Sequence, residues 1–226
     1  MNLLLLGCGK TGSLVAELAR ERKHHVRILR SGDNPHASAL TAAALQNVDV
    51  VVDFTNPSSA PENILACASA DTNMVVGTTG WYGEIPRVRK AVEENGIGLI
   101  FGANFSIGVN LFFQVARASA AALKHGYHGQ IFERHHVHKK DAPSGTAVMI
   151  QRIVQDTSEE ELEIISFREG DVVGMHELVF DSPNDSIYLC HDSKSRRAFA
   201  DGAVRAAEWI VGKKGFYDFR DVWQEL

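Results

Sequence analysis

Residues 1–19 read MNLLLLGCGKTGSLVAELA, and the order of their parts decides the fold. Met1 to Leu6 has the composition of a short buried strand, and it runs into Gly7-Cys8-Gly9-Lys10-Thr11-Gly12. A helical apolar period through Leu14, Val15, Leu18 and Ala19 follows. Strand, GxGxxG and helix in that order is the setting the dinucleotide fingerprint requires. Gly7 permits the tight turn, Gly9 lets a pyrophosphate approach the backbone, and Gly12 lets helix and strand pack closely. A bare GxGxxG also occurs as an ordinary glycine-rich turn. Its place between a strand and a helix favours nucleotide binding through residues 7–12.

Outward from this start the chain alternates. A second strand, His25 to Leu29, ends in Arg30-Ser31-Gly32-Asp33. An acidic residue at that point usually meets the adenosine ribose of NAD. Arg30 and Ser31, with Lys10, suit a 2′-phosphate better, so the cofactor expected is NADPH or NADH, with the balance on NADPH. The spacing then predicts a helix over 37–45, a strand over 48–54, a helix over 62–70 and a strand over 73–77. A helix over 85–94 and a strand over 97–102 follow. This is the rhythm of a parallel sheet covered on both faces. The turns that leave these strands, Thr55 to Ser59, Gly77-Thr78-Thr79-Gly80 and Gly102-Ala103-Asn104-Phe105-Ser106, gather small polar residues where parallel sheets bind ligands.

A long helix over 106–124 changes the pattern. Strand 127–134, helix 144–155, and strands 163–168, 172–180 and 186–191 predict an α+β unit with a mostly antiparallel sheet. Pro183-Asn184-Asp185 supplies a hairpin turn, and residues 156–161 read as an acidic linker. A last amphipathic helix over 198–211 ends at Gly212. The fold class is α/β: an N-terminal Rossmann-like parallel sheet with a second α+β domain carrying an open sheet. Residues 1–105 with about 196–226 form the dinucleotide-binding domain, and 106–195 form a substrate-binding and oligomerisation domain.

Composition bounds the partners. With 23 basic and 28 acidic residues the net charge is −5, which makes neither nucleic acid nor an anionic membrane a natural partner. Cys8, Cys67 and Cys190 are odd in number and far apart, as expected in a reducing compartment. The apolar run at Leu3 to Leu6 is too short for a signal peptide or a membrane span, so a cytoplasmic location is expected.

Against that acidic balance, residues 133–146, ERHHVHKKDAPSGT, form a local cationic patch in which five of the six residues from His135 to Lys140 can carry positive charge. Ser144 is placed to cap the helix that follows, whose first amides and dipole favour an anion. Histidines beside it can supply protons near neutral pH. A solvated surface loop is the plain alternative. A metal site on His136 and His138 is opposed by Lys139 and Lys140, so no metal is expected.

Taken together, ERHHVHKKDAPSGTA, VVDFTNPSS, VGTTG, GANFSIGVN, FREGDVVGMHELVF and SRRAFADGAVRAAEWI resemble the 4-hydroxy-tetrahydrodipicolinate (dihydrodipicolinate) reductases, in that family's order and over nearly the whole chain. The resemblance implies NAD(P)H-dependent reduction of a small dicarboxylate in diaminopimelate and lysine biosynthesis. It implies His135 as proton donor with Lys139 as a second acid. His136, Ser144, Gly145 and Thr146 become substrate contacts. Gly77, Thr78, Thr79, Gly102, Ala103, Asn104 and Phe105 join Gly7, Cys8, Gly9, Lys10, Thr11, Gly12 and Arg30 at the cofactor. It also implies a homotetramer through the open sheet, for which Val172, Val173, Leu178 and Phe180 are expected to offer an apolar face.

Three departures from the family pattern stand out. Val137 replaces an arginine, Met175 replaces a glutamate, and GCGKTG is one residue short of the usual glycine loop. The first two leave the acid and the anion helix intact, and the third bears on the NADH or NADPH choice. A non-catalytic dinucleotide-binding regulator of the same fold, or a reductase for another small imine dicarboxylate, are the alternative readings.

Overall fold

The apolar run at the N-terminus becomes β1 (Asn2–Leu6), whose Leu3 to Leu6 are all nearly inaccessible. In the computed structural model the 226 residues are described throughout except for the side chain of Ser31. The chain divides into two units, Met1–Ile107 with Arg197–Leu226, and Gly108–Arg196.

In the first unit β1 is followed by α1 (Lys10–Glu21), β2 (His25–Leu29), α2 (Ala42–Leu45), β3 (Val50–Asp53) and α3 (Ala60–Ser69). Next come β4 (Asn73–Val76), α4 (Ile85–Asn95) and β5 (Gly98–Phe101). The chain leaves after β5 and returns as α7 (Arg197–Ile210), β10 (Gly215–Asp218) and α8 (Phe219–Val222). Six parallel strands lie in the order β10-β5-β4-β3-β1-β2. Alternation along each strand splits the core. Leu3, Leu5, Val50, Val52, Val75 and Ile100 meet α1 and α7, while Leu4, Leu6, Val51, Met74 and Leu99 meet α3 and α4. Burial of each such side chain is worth about 1.5–3 kcal/mol.

The second unit opens with α5 (Ile107–Ser119), extended by a tighter turn over Ala120–His125. It continues with β6 (His128–His135), α6 (Gly145–Ser158), β7 (Glu163–Arg168), β8 (Met175–Asp181) and β9 (Ser186–Asp192). Its sheet runs β7-β6-β8-β9, with β6 and β7 parallel and the other two pairings antiparallel. Helices α5 and α6 cover one face through Val109, Phe113, Ile150 and Val154, against Ile131, Leu178 and Phe180.

Several local expectations are corrected. The helix over 37–45 is only the turn Ala42–Leu45 capped by Thr41, because His36 and Ala37 take positive φ and break the period. The strand over 172–180 begins at Met175, because the chain leaving β7 must first cross the end of β6 to reach its other side. Glu169 N–H donates to the His135 carbonyl there, at 2.8 Å. Leu178 and Phe180 are fully buried in the core, so they offer no open face. Half of the acidic linker, residues 156–158, is the last turn of α6, which ends at Glu159 in the left-handed region. Strand β10 was not expected, since four residues carry too little period to read.

The C-terminal return rests on one close approach. A Cβ at Gly202 of α7 would stand 1.7 Å from the Phe105 carbonyl oxygen, and Phe105 is locked against Phe219 with ring centroids 4.6 Å apart. Gly202→Ala is expected to destabilise the protein by the order of a core overpacking, about 1–3 kcal/mol or more, and so to lower the urea midpoint. Denaturation followed by circular dichroism tests this; an unchanged midpoint would show that α7 is not clamped there.

Candidate active site

One face of β6 decides the chemistry of the second unit. Ile131, Glu133 and His135 alternate onto the face that α5 and α6 cover, so the strand passes from apolar core to two ionisable groups. Register places Ser166 and His176 opposite Glu133, and Arg168 opposite His135. Glu133 is wholly buried. One carboxylate oxygen is hydrogen-bonded to His135 Nδ1, and the other lies 2.8 Å from Arg168 Nη2. Burial would raise the Glu133 carboxyl, but hydrogen bonds from Ser166 and Arg168 and the adjacent His135 outweigh it and hold the group below the usual carboxylate range. Burial pushes His135 below the ordinary histidine value, with Lys139 and Arg168 adding to the effect and Glu133 opposing it. Arg168 also donates to the Asp141 carbonyl at 2.6 Å, fastening the loop after β6 to the same guanidinium.

Ser144 caps α6 as expected: its hydroxyl accepts from Ala147 N–H at 3.2 Å and lies 3.1 Å from His176 Nε2. The buried hydroxyl is thereby occupied. What remains toward a ligand at this helix start is the Gly145 and Thr146 amides and the Thr146 side chain, with Gly145 exposed and Thr146 half-buried. His176 packs edge-on to His135, centroids 5.2 Å apart, so the helix cap and the β6 histidine share one neighbour. Lys139 Nζ lies 2.9 Å from both oxygens of Asp141, and His136 Nε2 lies 3.2 Å from Arg196 Nη2. Val137 is exposed on the same loop.

The first unit tests the glycine roles directly. Gly7 has φ +83°, and a Cβ there would meet the Phe54 carbonyl at 2.4 Å; one at Gly12 would meet the Gly7 carbonyl at 2.5 Å. A Cβ at Gly9 would meet nothing within 4 Å, so space lies open above the amides that begin α1. These residues fit a dinucleotide pyrophosphate. Cys8, Lys10 and Arg30 are exposed and Thr11 half-buried. Ser31, whose side chain lies outside the described residues, adds nothing here.

The turns that follow β3 and β4 are held by buried Asp53. Its carboxylate accepts from Thr55 N–H and hydroxyl, from the Thr78 hydroxyl at 2.8 Å and from Asn63 at 2.8 Å. Thr78 is therefore turned inward, and Thr79 is the exposed member of the pair. Gly77 is required because a Cβ would strike the Phe54 ring at 2.2 Å. In the Gly102–Phe105 turn, Ala103 is exposed, Asn104 accepts from Ser106 N–H, and the Phe105 ring belongs to the core.

Sequence reasoning missed Glu133, Ser166, Arg168, His176 and Asp53 as parts of these sites. A glutamate two residues before His135 on an alternating strand was the available signal, since the period puts it at a core position. Among the described residues, Glu133, His135 and His176 also place donor atoms within 4.8 Å of one another. Arg168 on Glu133 and Lys139 nearby oppose a divalent ion and suit proton transfer instead.

Comparison with known proteins agrees in both halves. A family model described as "Dihydrodipicolinate reductase, N-terminus" matches residues 1–105, and "Dihydrodipicolinate reductase, C-terminus" matches 108–223. The chain is 34% identical to the 4-hydroxy-tetrahydrodipicolinate reductase of Christiangramia forsetii over 100% of this chain and 99% of that protein. It is 39% identical to that of Chromobacterium violaceum over 80% of this chain and 75% of that protein. The solved dipicolinate-bound dihydrodipicolinate reductase of Paenisporosarcina sp. TG-14 has the same fold, with a TM-score of 0.80 at 22% identity, covering 98% of this chain and 99% of that one.

Burial, then the neighbouring His135, pushes His176 down to about 3 from an ordinary 6.5. The unfolded chain therefore binds this proton at a pH where the folded chain does not. The associated stability is complete above about pH 6.5 and is lost as pH falls toward 3. Urea titrations from about pH 7 to about pH 4 should show stability falling with acidity. His176→Gln, which keeps a hydrogen-bonding group for Ser144, should show a shallower decline. Equal slopes for the two proteins would count against this account.

Proposed function

The chain belongs to the dihydrodipicolinate reductase family, and from that premise we infer that it is an NAD(P)H-dependent oxidoreductase. The reaction is reduction of 4-hydroxy-tetrahydrodipicolinate to tetrahydrodipicolinate, in diaminopimelate and lysine biosynthesis. One observation supports this most directly: β6 and the start of α6 bring a buried, carboxylate-paired histidine beside a cationic loop and the amides of a capped helix. That is an acid next to an anion anchor.

A bound nicotinamide supplies the hydride. The amides at residues 7–12 would hold its pyrophosphate, and the turns at Gly77–Thr79 and Gly102–Phe105 would line the nicotinamide. Gly145 and Thr146 hold one substrate carboxylate through their amides and the Thr146 hydroxyl, and His136 contacts the substrate. His135 delivers a proton to the electron density that reduction leaves behind. Lys139, steadied by Asp141, adds positive charge next to the substrate in the ground state and in the transition state. Ser144 acts through its cap. The protein works in the cytoplasm, and the net charge of −5 favours neither nucleic acid nor an anionic membrane as partner. No helix among the described residues is long and apolar enough to cross a membrane. Exposed Tyr188 and Phe167 support a homotetramer built on the outer face of the second sheet.

Steady-state kinetics with freshly made substrate tests these roles. Thr146→Ala should raise KM with cofactor affinity unchanged, and Lys139→Ala should affect both kcat and KM. His135→Gln should lower kcat by a factor of about 10² or more. Wild-type kcat in the His135 variant, where chemistry limits the rate, would remove it as proton donor. For the cofactor, exposed Arg30 should give a preference for NADPH of tens-fold at most, because an exposed ion pair is screened. Arg30→Ala should erase that preference. A wild-type preference for NADH would refute the assignment.

A further inference from the structure

His135 lies in a ring of ionisable groups drawn from every element around it. Glu133 stands on its own strand, Arg168 on β7, His176 on β8, and Lys139 with its partner Asp141 in the loop that follows. Only Glu133 and Asp141 are anionic, and Asp141 is engaged by Lys139. The Glu133 carboxylate is the group bonded to the ring itself, at Nδ1. At the opposite edge of the ring Gly174 presents no side chain: a Cβ there would stand 3.0 Å from Nε2 and 3.3 Å from Cδ2. One ring nitrogen is therefore held from behind, and the other is kept clear by a buried glycine.

Resting on the reductase reading above, we propose that Glu133 is the positioning residue of the proton donor, keeping a proton on His135 Nδ1 so that Nε2 is the atom that gives one to substrate. Glu133 accepts from Nδ1–H in both protonation states of the ring. In the transfer step the Nε2–H bond breaks, its proton joins the electron-rich centre left by hydride addition, and the imidazolium becomes neutral imidazole with Nδ1 still protonated. Nε2 is then recharged from solvent. Arg168 and Ser166 complete the device by keeping Glu133 ionised, so that the Nδ1 proton stays on the ring. A well-packed apolar residue would fill a buried strand position at least as stably as an ion pair. The distinctive contribution of this carboxylate is the charge and acceptor it sets against Nδ1. Sequence position alone does not assign it such a role, because it faces the core beside Ile131 and meets Arg168 and Ser166 only through the pairing of β6 with β7.

Glu133 opposes the downward pull of burial on His135, so losing its charge must lower the pH at which the ring gives up its proton. A reaction that needs the protonated ring falls off as pH rises through that point. Glu133→Gln should therefore move the alkaline limb of the kcat profile to lower pH and reduce kcat roughly 10²-fold, with cofactor affinity unchanged. Glu133→Asp, which keeps the charge, should return the limb toward its wild-type place. A Gln variant with an unmoved profile and kcat within about twofold of wild type would overturn the proposal. Should removal of the buried charge partner prevent folding, the wild-type protein decides alone. Nitrogen-15 spectra of histidine-labelled enzyme, with His135 assigned against His135→Gln, should show the neutral ring protonated at Nδ1. A neutral ring protonated at Nε2 would overturn the assignment. Absence of reductase activity in the wild type would instead defeat the functional reading, while the tautomer of the unliganded protein bears on Glu133 itself.

Discussion

The second unit depends on the register of one strand. β6 runs parallel to β7 and antiparallel to β8, so residues on its covered face meet partners from both neighbours at the same level. Up to Ile131 those levels are apolar and close a core with α5 and α6. Two residues later the same face bears Glu133, with Ser166 on one side and His176 on the other, and at the next level His135 is paired with Arg168. A one-residue slip of β6 would turn both ionisable groups to the outer face and put Phe132 and Arg134 in their place. The buried charges are tolerable because they arrive as a set. Glu133 has His135 hydrogen-bonded to one oxygen and the Arg168 guanidinium paired with the other, and an isolated carboxylate at that depth would cost several kcal/mol.

The start of α6 and the His135 ring are joined by the cap of that helix. The Ser144 hydroxyl closes the first turn of the helix and touches His176, whose ring lies edge-on to His135. The Gly145 and Thr146 amides and the His135 ring are thus positioned by one small network. Because burial keeps His176 neutral, it spaces these parts without adding a further charge to the cluster. The first unit is shaped by its backbone instead. Three glycines and the Asp53 network shape its turns, and the side chains that look most suited to contact, Thr78 and Phe105, are spent on holding them.

Much of this was legible in the sequence because it is local. Strand, glycine loop and helix at residues 1–19 follow from period and from the conformations only glycine tolerates, and the cap at Ser144 follows from residue type beside a helical pattern. The alternating α/β run and the change to an open, mostly antiparallel sheet were readable for the same reason. Short elements were not. The helix expected over 37–45 fails on the backbone at His36 and Ala37, and β10 is stabilised by pairing to β5 rather than by its own four residues.

Tertiary structure alone decided which residues stand together. Nothing in the local pattern ties Arg168 to Glu133, Asn63 and Thr78 to Asp53, or Gly202 to the Phe105 carbonyl, since each contact spans a long stretch of chain. Leu178 and Phe180 show the same limit. Both were expected on an open face, but strand alternation permits either side, and only packing against α5 and α6 puts them inside. Sequence by itself determined the elements and the kinds of chemistry this protein can offer, because propensity and residue type are carried by neighbours along the chain. The pairing of distant strands fixed which acid meets which base, because burial and charge compensation are settled only where those strands meet.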